Sequence, residues 1–319
     1  MSREQRRALD AALRAAPATS DPTSVEQMRV GFERFMSTFP VPAGVVRTPV
    51  TLGGRPAVRV DPSEGRRPGT LLYFHGGSFS LGSPETAMAL TAHLVRRTGV
   101  RAVSLDYRLA PEHPFPAGIE DCLAAYRDLL DSGVAPESIV LAGDSAGGGL
   151  AITSLLAARD AGLPMPAGIV AFSPGLDHTR SGGSMTTKEG VDPLFTGEGM
   201  KRTGELYLNG RDPEGDPLLS PAVLADLSGF PPILLHVGTN ELLLDDSVRL
   251  AERARDAGVD VILDVVADVP HVFPAFIGTI DEAAQAVDRA ALFINQRIAA
   301  GMSKAPTQFS AGAVARPRR

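Results

Sequence analysis

The sequence predicts an α/β protein built on a mostly parallel sheet, and three observations carry that prediction. From residue 70 onward, short apolar stretches alternate with amphipathic helical stretches. One apolar stretch turns into a helix at Gly143-Asp144-Ser145-Ala146-Gly147-Gly148, which sets a serine between two glycines. An earlier apolar stretch runs directly into His75-Gly76-Gly77. Strands alternating with helices form βαβ units, whose strands are parallel and whose ligands sit at the strands' carboxyl ends.

A chain of 319 residues can bury a large core, as one domain or as one domain with an appended lid. Hydrophobic residues make up 44% and charged residues 21%, as in ordinary globular enzymes. The formal net charge of −6 argues against a nucleic-acid partner, which would demand a basic face. Residues 1–13 are charged and lack an apolar core, so no secretory leader is expected. No run of eighteen apolar residues occurs, so no membrane span is expected. The single cysteine, Cys122, excludes an intrachain disulfide, fits a cytoplasmic location, and reads as a small core residue. Six histidines without H-x-x-x-H spacing, and no cysteine cluster, predict no metal site.

The elements follow in order. Residues 3–16 and 24–38 show helical spacing, with Thr23 and Glu26 placed as a capping box. Residues 45–60 alternate around Gly53-Gly54 and read as a hairpin. Strands are predicted at 70–74, 101–105, 138–142, 168–172, 232–237 and 260–266. Helices are predicted at 85–98, 117–131, 146–161, 244–257 and 282–299. Residues 177–221, rich in Gly, Ser, Asp and Pro with a helical island at 198–208, are long for a connection and read as a lid insertion. With residues 1–44 they form the expected cap over a catalytic domain of 45–300, and the Ala/Pro/Ser/Arg-rich tail 301–319 is expected to be disordered.

The serine between glycines, at a strand-to-helix turn, is a nucleophile elbow. A serine hydroxyl needs a base to take its proton, and an acid to fix the base's tautomer. In the order Ser, acid, His, three histidines follow Ser145. His178 falls in the insertion. His236 lies inside an apolar strand, where a local hydrogen bond would occupy it. His271 follows the last strand and is the candidate base. The acid should follow the 232–237 strand, where Glu241 comes first and Asp245 is the alternative; Asp245 and Asp246 can also cap the next helix. Backbone amides for an oxyanion would come from Gly76, Gly77 and Ala146. His75 and Asp144 flank these groups as supporting residues.

Four separated motifs complete the pattern: HGGSF at 75–79, DYRLAPEHPFPA at 106–117, GDSAGG at 143–148 and PHVF at 270–273. With them the chain resembles the hormone-sensitive-lipase-like family of α/β-hydrolase carboxylesterases over residues 45–300. The resemblance places the nucleophile on Ser145, the base on His271 and the oxyanion donors on Gly76, Gly77 and Ala146. It implies an eight-stranded, mostly parallel sheet with a helical cap, no cofactor, and dimerisation through the last strand. In the 106–117 motif, Pro111, Pro114 and Pro116 stiffen a loop near the site, with Asp106 and Tyr107 structural. Two positions depart from the family pattern. Ser78 stands where a third glycine is usual. Glu241-Leu242-Leu243-Leu244-Asp245 stands where the family has D-P-L-x-D, which puts Glu241 in the acid role and Asp245 in a supporting one.

The expected activity is hydrolysis of short to medium acyl esters of small molecules through an acyl-enzyme. A dedicated deacetylase or lactone hydrolase of one metabolite is the alternative within the class. A catalytically silent small-molecule receptor is the alternative outside it.

Overall fold

The computed structural model describes residues 2–15 and 24–304. Helices α1 (Ser2–Ala15) and α2 (Val25–Met36) precede a hairpin of β1 (Val45–Leu52) and β2 (Arg55–Pro62). Then come β3 (Arg67–Phe74), α3 (Met88–Thr98), β4 (Val100–Leu105), α4 (Ala117–Asp131), β5 (Ile139–Asp144), α5 (Ala146–Asp160) and β6 (Gly168–Phe172). The insertion carries α6 (Ser184–Thr187) and α7 (Gly197–Leu208), and α8 (Pro221–Leu224) closes it. The chain ends with β7 (Ile233–Gly238), α9 (Leu244–Asp256), β8 (Val261–Val266) and α10 (Asp281–Lys304).

The eight strands form one sheet in the order β1-β2-β4-β3-β5-β6-β7-β8. β2 pairs antiparallel with both neighbours, and every other pairing is parallel. Side-chain alternation along the strands feeds two apolar layers. On β3, Leu72 and Phe74 face the cluster with Tyr126, Leu150 and Leu250 of α4, α5 and α9. Leu71 and Tyr73 face the opposite cluster, with Leu94 of α3 and Ile294 of α10. A strand buried on both faces reads as a continuous apolar run, which is why 70–74 carries no polar alternation. Cys122 is wholly buried in the first layer. β8 forms an outer edge with Ile262 and Val265 exposed.

Several boundaries differ from expectation: β3 begins at Arg67 rather than 70, and α3 at Met88 rather than 85. The side chain of Ser24 caps α2 by accepting from Gln27 N, while Thr23 lies outside the described residues. α10 runs through Lys304, because apolar residues down to Ile298 continue its buried face; residues 305–319 lie outside the described residues. Ser138 belongs to a 3-10 turn, and β5 instead continues to Asp144. The 106–117 loop holds two cis peptides, before Pro111 and Pro116. Tyr107 in that loop stacks on His75 at 4.2 Å and donates to its carbonyl at 2.7 Å.

The two N-terminal helices are fastened separately. On α1, Leu9 packs with Phe276 and Ile280, and Arg6 pairs with Glu282 at 2.7 Å. On α2, Arg29 grips Glu112 with two nitrogens at 2.7 Å and donates to the carbonyls of Ser80 and Ala110. A bidentate guanidinium–carboxylate pair fixes geometry as well as contact. Among the described residues no helix is long and apolar enough to cross a membrane.

At Gly147 the start of α5 crosses β3 closely, and an added Cβ would lie 2.0 Å from the Phe74 carbonyl oxygen. Gly147→Ala should therefore lose about 2–3 kcal/mol of stability or more in urea denaturation, the cost of forced overpacking. On α2, Gly31 has nothing within 4 Å of its Cβ position. Gly31→Ala should gain about 0.5–1 kcal/mol in the same measurement, through helix propensity.

Candidate active site

The site forms where β5, β7 and β8 end. β5 stops at Asp144 and α5 begins at Ala146, so Ser145 alone makes the turn, with φ 51° and ψ −119°. Its backbone is held from both sides: its N–H donates to Phe172 at 2.8 Å, and its carbonyl accepts from Gly149 and Gly175 at 3.1 Å. The flanking glycines are needed sterically. A Cβ at Gly143 would lie 2.4 Å from the Gly147 backbone.

The loops after β7 and β8 are laced together by backbone bonds. Thr239 N donates to Val266 O at 2.9 Å, and Asn240 N to Val269 O at 3.2 Å. This lacing carries Glu241 and His271 to one point above Ser145. His271 Nε2 lies 2.9 Å from Ser145 Oγ, and His271 Nδ1 lies 2.8 Å from Glu241 Oε2. A carboxylate only accepts, so Nδ1 carries the ring proton and Nε2 is left to accept from the serine hydroxyl. The structure thus brings together Ser145, His271 and Glu241 from three distant parts of the chain.

Glu241 is fully buried, and a buried carboxylate must be hydrogen-bonded to remain charged. Its Oε1 accepts from Ser173 Oγ at 2.9 Å and from the Gly238 amide, while Oε2 faces His271. Ser173 also accepts from Val272 N at 3.0 Å, so one hydroxyl ties the carboxylate to the histidine loop. Ser173 escaped sequence reasoning. Its signal was positional: it directly follows β6, which lies between β5 and β7 in the sheet.

Asp245 takes a different place. Its Oδ2 accepts from Ser184 N at 2.9 Å, and its own N–H meets Ser184 Oγ at 3.1 Å. Asp246 accepts from Leu176 N at 2.7 Å and Asp177 N at 3.0 Å. Both carboxylates hold the insertion rather than the imidazole, which corrects the supporting role expected of Asp245. Burial pushes the Asp246 carboxyl up to about 7, against the pull of Arg180. Asp192 adds a second tie that the sequence did not reveal. Its Oδ2 accepts from Leu242 N at 2.9 Å, and its Oδ1 accepts from Leu194 and Phe195 amides. Phe195 sets its ring edge-on to His271, with centroids 4.8 Å apart.

The glycine turn after β3 also differs in detail. The Gly76 backbone faces Asp144, where a Cβ would lie 2.3 Å from Oδ2, and helps hold that carboxyl down. Burial nevertheless raises Asp144 to about 6, with the Tyr73 hydroxyl donating to it at 2.7 Å. The residues of this turn that border the cavity at Ser145 are Gly77 and Ser78. Gly76 is therefore engaged behind the turn, and Ser78, at φ 53°, stands in the place expected for Gly76. Ala146 is buried beside Ser145 at the start of α5. His75 is buried and neutral, its pKa lowered to about 4 by desolvation, with Nδ1 donating to the Gly76 carbonyl at 2.8 Å.

Of the other two histidines after Ser145, His236 stays within β7, with Nδ1 2.8 Å from Asp264. His178 packs against Phe79 and Tyr207, and burial drives it down to about 3. Among the described residues no cluster of three His, Cys, Asp or Glu side chains could hold a metal ion.

A nucleophile elbow between β5 and α5, under an imidazole from the loop after β8, defines the class of α/β hydrolases. Residues 71–275 match the family described as the α/β hydrolase fold. An acetyl-hydrolase of Streptomyces hygroscopicus is 41% identical over 283 residues, covering 87% of this chain and 92% of the relative. An esterase of Acinetobacter venetianus is 36% identical over 262 residues, covering 82% and 85%. The crystal structure of a hormone-sensitive lipase from a metagenome library superposes with a TM-score of 0.87 at 42% identity, covering 92% of this chain and 99% of that one. The chain belongs to the hormone-sensitive-lipase-like family of α/β-hydrolase carboxylesterases.

Burial works against the charge of His271, but the hydrogen bond and charge of Glu241 outweigh it, and the pKa rises above 6.5. An imidazole titration followed by NMR should therefore place His271 above 6.5. Glu241→Gln removes the largest raising influence and leaves burial opposed only by the charges of Asp192 and Asp144, so the midpoint should fall below the wild-type value.

Proposed function

We propose that the chain is a serine carboxylesterase that hydrolyses short-acyl esters through an acyl-enzyme. The observation that supports this most is the unbroken line from Ser145 Oγ through His271 to Glu241, with links of 2.9 and 2.8 Å. Ser145 Oγ attacks the ester carbonyl while its proton passes to His271 Nε2. Glu241 holds the ring's tautomer and stabilises the imidazolium. The carbonyl oxygen gains charge and lies against the amides of Gly77, Ser78 and Ala146, each worth roughly 3–4 kcal/mol in such sites. The C–O bond breaks, and the alcohol leaves with the proton from Nε2. Water then attacks the acyl-serine, giving its proton to His271, which returns it to Ser145 as the acid departs.

Two cavities meet at Ser145, and their sizes favour a particular orientation. The larger, about 860 Å³, is bordered by His271 and by apolar residues such as Val30, Phe35, Phe39 and Phe276. The smaller, about 30 Å³, lies beside Ala146, with Gly175, Met200 and Leu243 in its wall. The leaving alcohol must reach His271 Nε2, so it occupies the larger cavity and the acyl chain the smaller. A water needs roughly 10–15 Å³ by the same measure, so the smaller space suits only a few heavy atoms. The acetyl-hydrolase among the relatives agrees with such a short acyl group. The α2 helix and the 177–221 insertion together supply most of the larger cavity's wall, consistent with a cap.

With 2-naphthyl esters, kcat/KM should fall steeply from acetyl through butanoyl to octanoyl. A flat profile would overturn the assignment of the small cavity to the acyl group. Ser145→Ala should retain the wild-type melting temperature and lose about 10⁴-fold or more in kcat on naphthyl acetate. Glu241→Gln should lose about 10⁴-fold, as when a triad acid no longer fixes the tautomer. Asp245→Asn should lose less than about tenfold, because it touches only the insertion. The reverse ranking would move the acid role to Asp245.

A further inference from the structure

We propose that Arg180 selects the acyl group: the small cavity takes a two- or three-carbon acyl chain bearing an oxygen acceptor, such as a hydroxyacyl group, in preference to the alkyl chain of the same shape. This rests on the carboxylesterase reading and on the placement of the acyl chain in that cavity.

The small cavity carries polar side chains in a largely apolar wall. Arg180, His178, Thr203 and Ser78 all border it. Arg180 Nη2 is located at this wall, because it lies 3.9 Å from the Cβ position of Gly204, which borders the same space. Among the described residues the Arg180 guanidinium makes no hydrogen bond and no ion pair. The neighbouring carboxylates are committed elsewhere. Asp177 pairs with Arg249 at 2.9 Å, and also accepts from Thr179 and Ser181. Asp246 is satisfied by the amides of Leu176 and Asp177. Their charges act on Arg180 at longer range, while burial lowers its pKa. His178 Nδ1 is likewise buried without a partner.

A guanidinium with open donors at the wall of a narrow cavity can be served there by water, and a substrate group that displaces that water without bringing an acceptor costs free energy. An alkyl acyl group supplies none and displaces any water that could. An acyl chain with an oxygen on its second carbon places an acceptor a bond or two beyond the carbonyl, inside the cavity. Pocket polarity of this kind discriminates strongly, because the wrong substrate leaves the donor unpaired. The Arg180 backbone, at φ 55°, is held in the left-handed region by Asp177, whose carboxylate accepts from the amides of Thr179 and Ser181 on either side.

The test compares 2-naphthyl glycolate with 2-naphthyl propanoate, whose acyl groups differ only by hydroxyl against methyl. Each kcat/KM is divided by the ester's rate with hydroxide, which removes intrinsic reactivity. The wild-type ratio should favour glycolate by about tenfold or more, the scale of one hydrogen bond from a charged donor. Arg180→Met should bring the ratio down at least tenfold, through loss on glycolate, gain on propanoate or both, and Arg180→Lys should restore part of it. A ratio near one in the wild type, or one unchanged in Arg180→Met, overturns the proposal. So does an equal loss on both esters in a variant that keeps its melting temperature. If Arg180→Met does not fold, the intact enzyme decides: free glycolate should inhibit naphthyl acetate hydrolysis at least tenfold more strongly than free propanoate, and equal inhibition overturns the proposal. Failure of the underlying reading looks different, since the wild type would then hydrolyse neither ester and a fluorophosphonate would not label Ser145.

Discussion

A left-handed backbone at a serine persists only if its surroundings over-determine it. At Ser145 the surroundings are two crossings of bare backbone: Gly143 against Gly147, and Gly147 against the end of β3. Each crossing brings main chain within the distance a methyl group would need. That contact sets where α5 starts, hence where its N-terminal amides point, and it fixes the hydroxyl at the rim of the sheet. The glycine turn after β3 is drawn into the same knot, because Gly147 also approaches the His75 carbonyl. Ser145 and the amides beside it are thus positioned by one steric constraint rather than by separate side-chain contacts.

The histidine and the glutamate depend on a second device. Their loops are laced by main-chain bonds and then pinned by Ser173, which joins the Glu241 carboxylate to the Val272 amide. A buried carboxylate without partners would cost several kcal/mol, and the Glu241 oxygens are supplied with donors beneath the imidazole. The result is a histidine whose basicity reflects a contest between burial and its partner, with the partner ahead.

Much of this was legible in the chain. The strands buried on both faces, the elbow and the glycine pair leave strong local signatures, because their chemistry depends on residues adjacent in sequence. The choice of His271 over His178 and His236 followed from chain order and strand context. What the sequence did not disclose depends on which strand ends lie side by side. Ser173 is an ordinary serine until β6 is seen between β5 and β7. Asp245 holds Ser184 and Asp192 holds Leu242 because residues 184–195 fold back against the start of α9. Ser78 replaces Gly76 at the cavity because the Gly76 backbone turns toward Asp144, a contact between residues 68 positions apart. Arg180 carries no signal in the sequence beyond its place in the polar 177–221 segment, and only the cavity beside Ala146 singles it out.

Asp192 couples two parts of the molecule that could otherwise vary independently. It belongs to the segment that shapes the substrate's surroundings, yet it grips the Leu242 amide next to the glutamate. Remodelling that segment therefore tugs on the residue whose carboxylate meets the His271 ring. Chimaeras that exchange the segment between relatives will need to carry this aspartate and its loop as a unit.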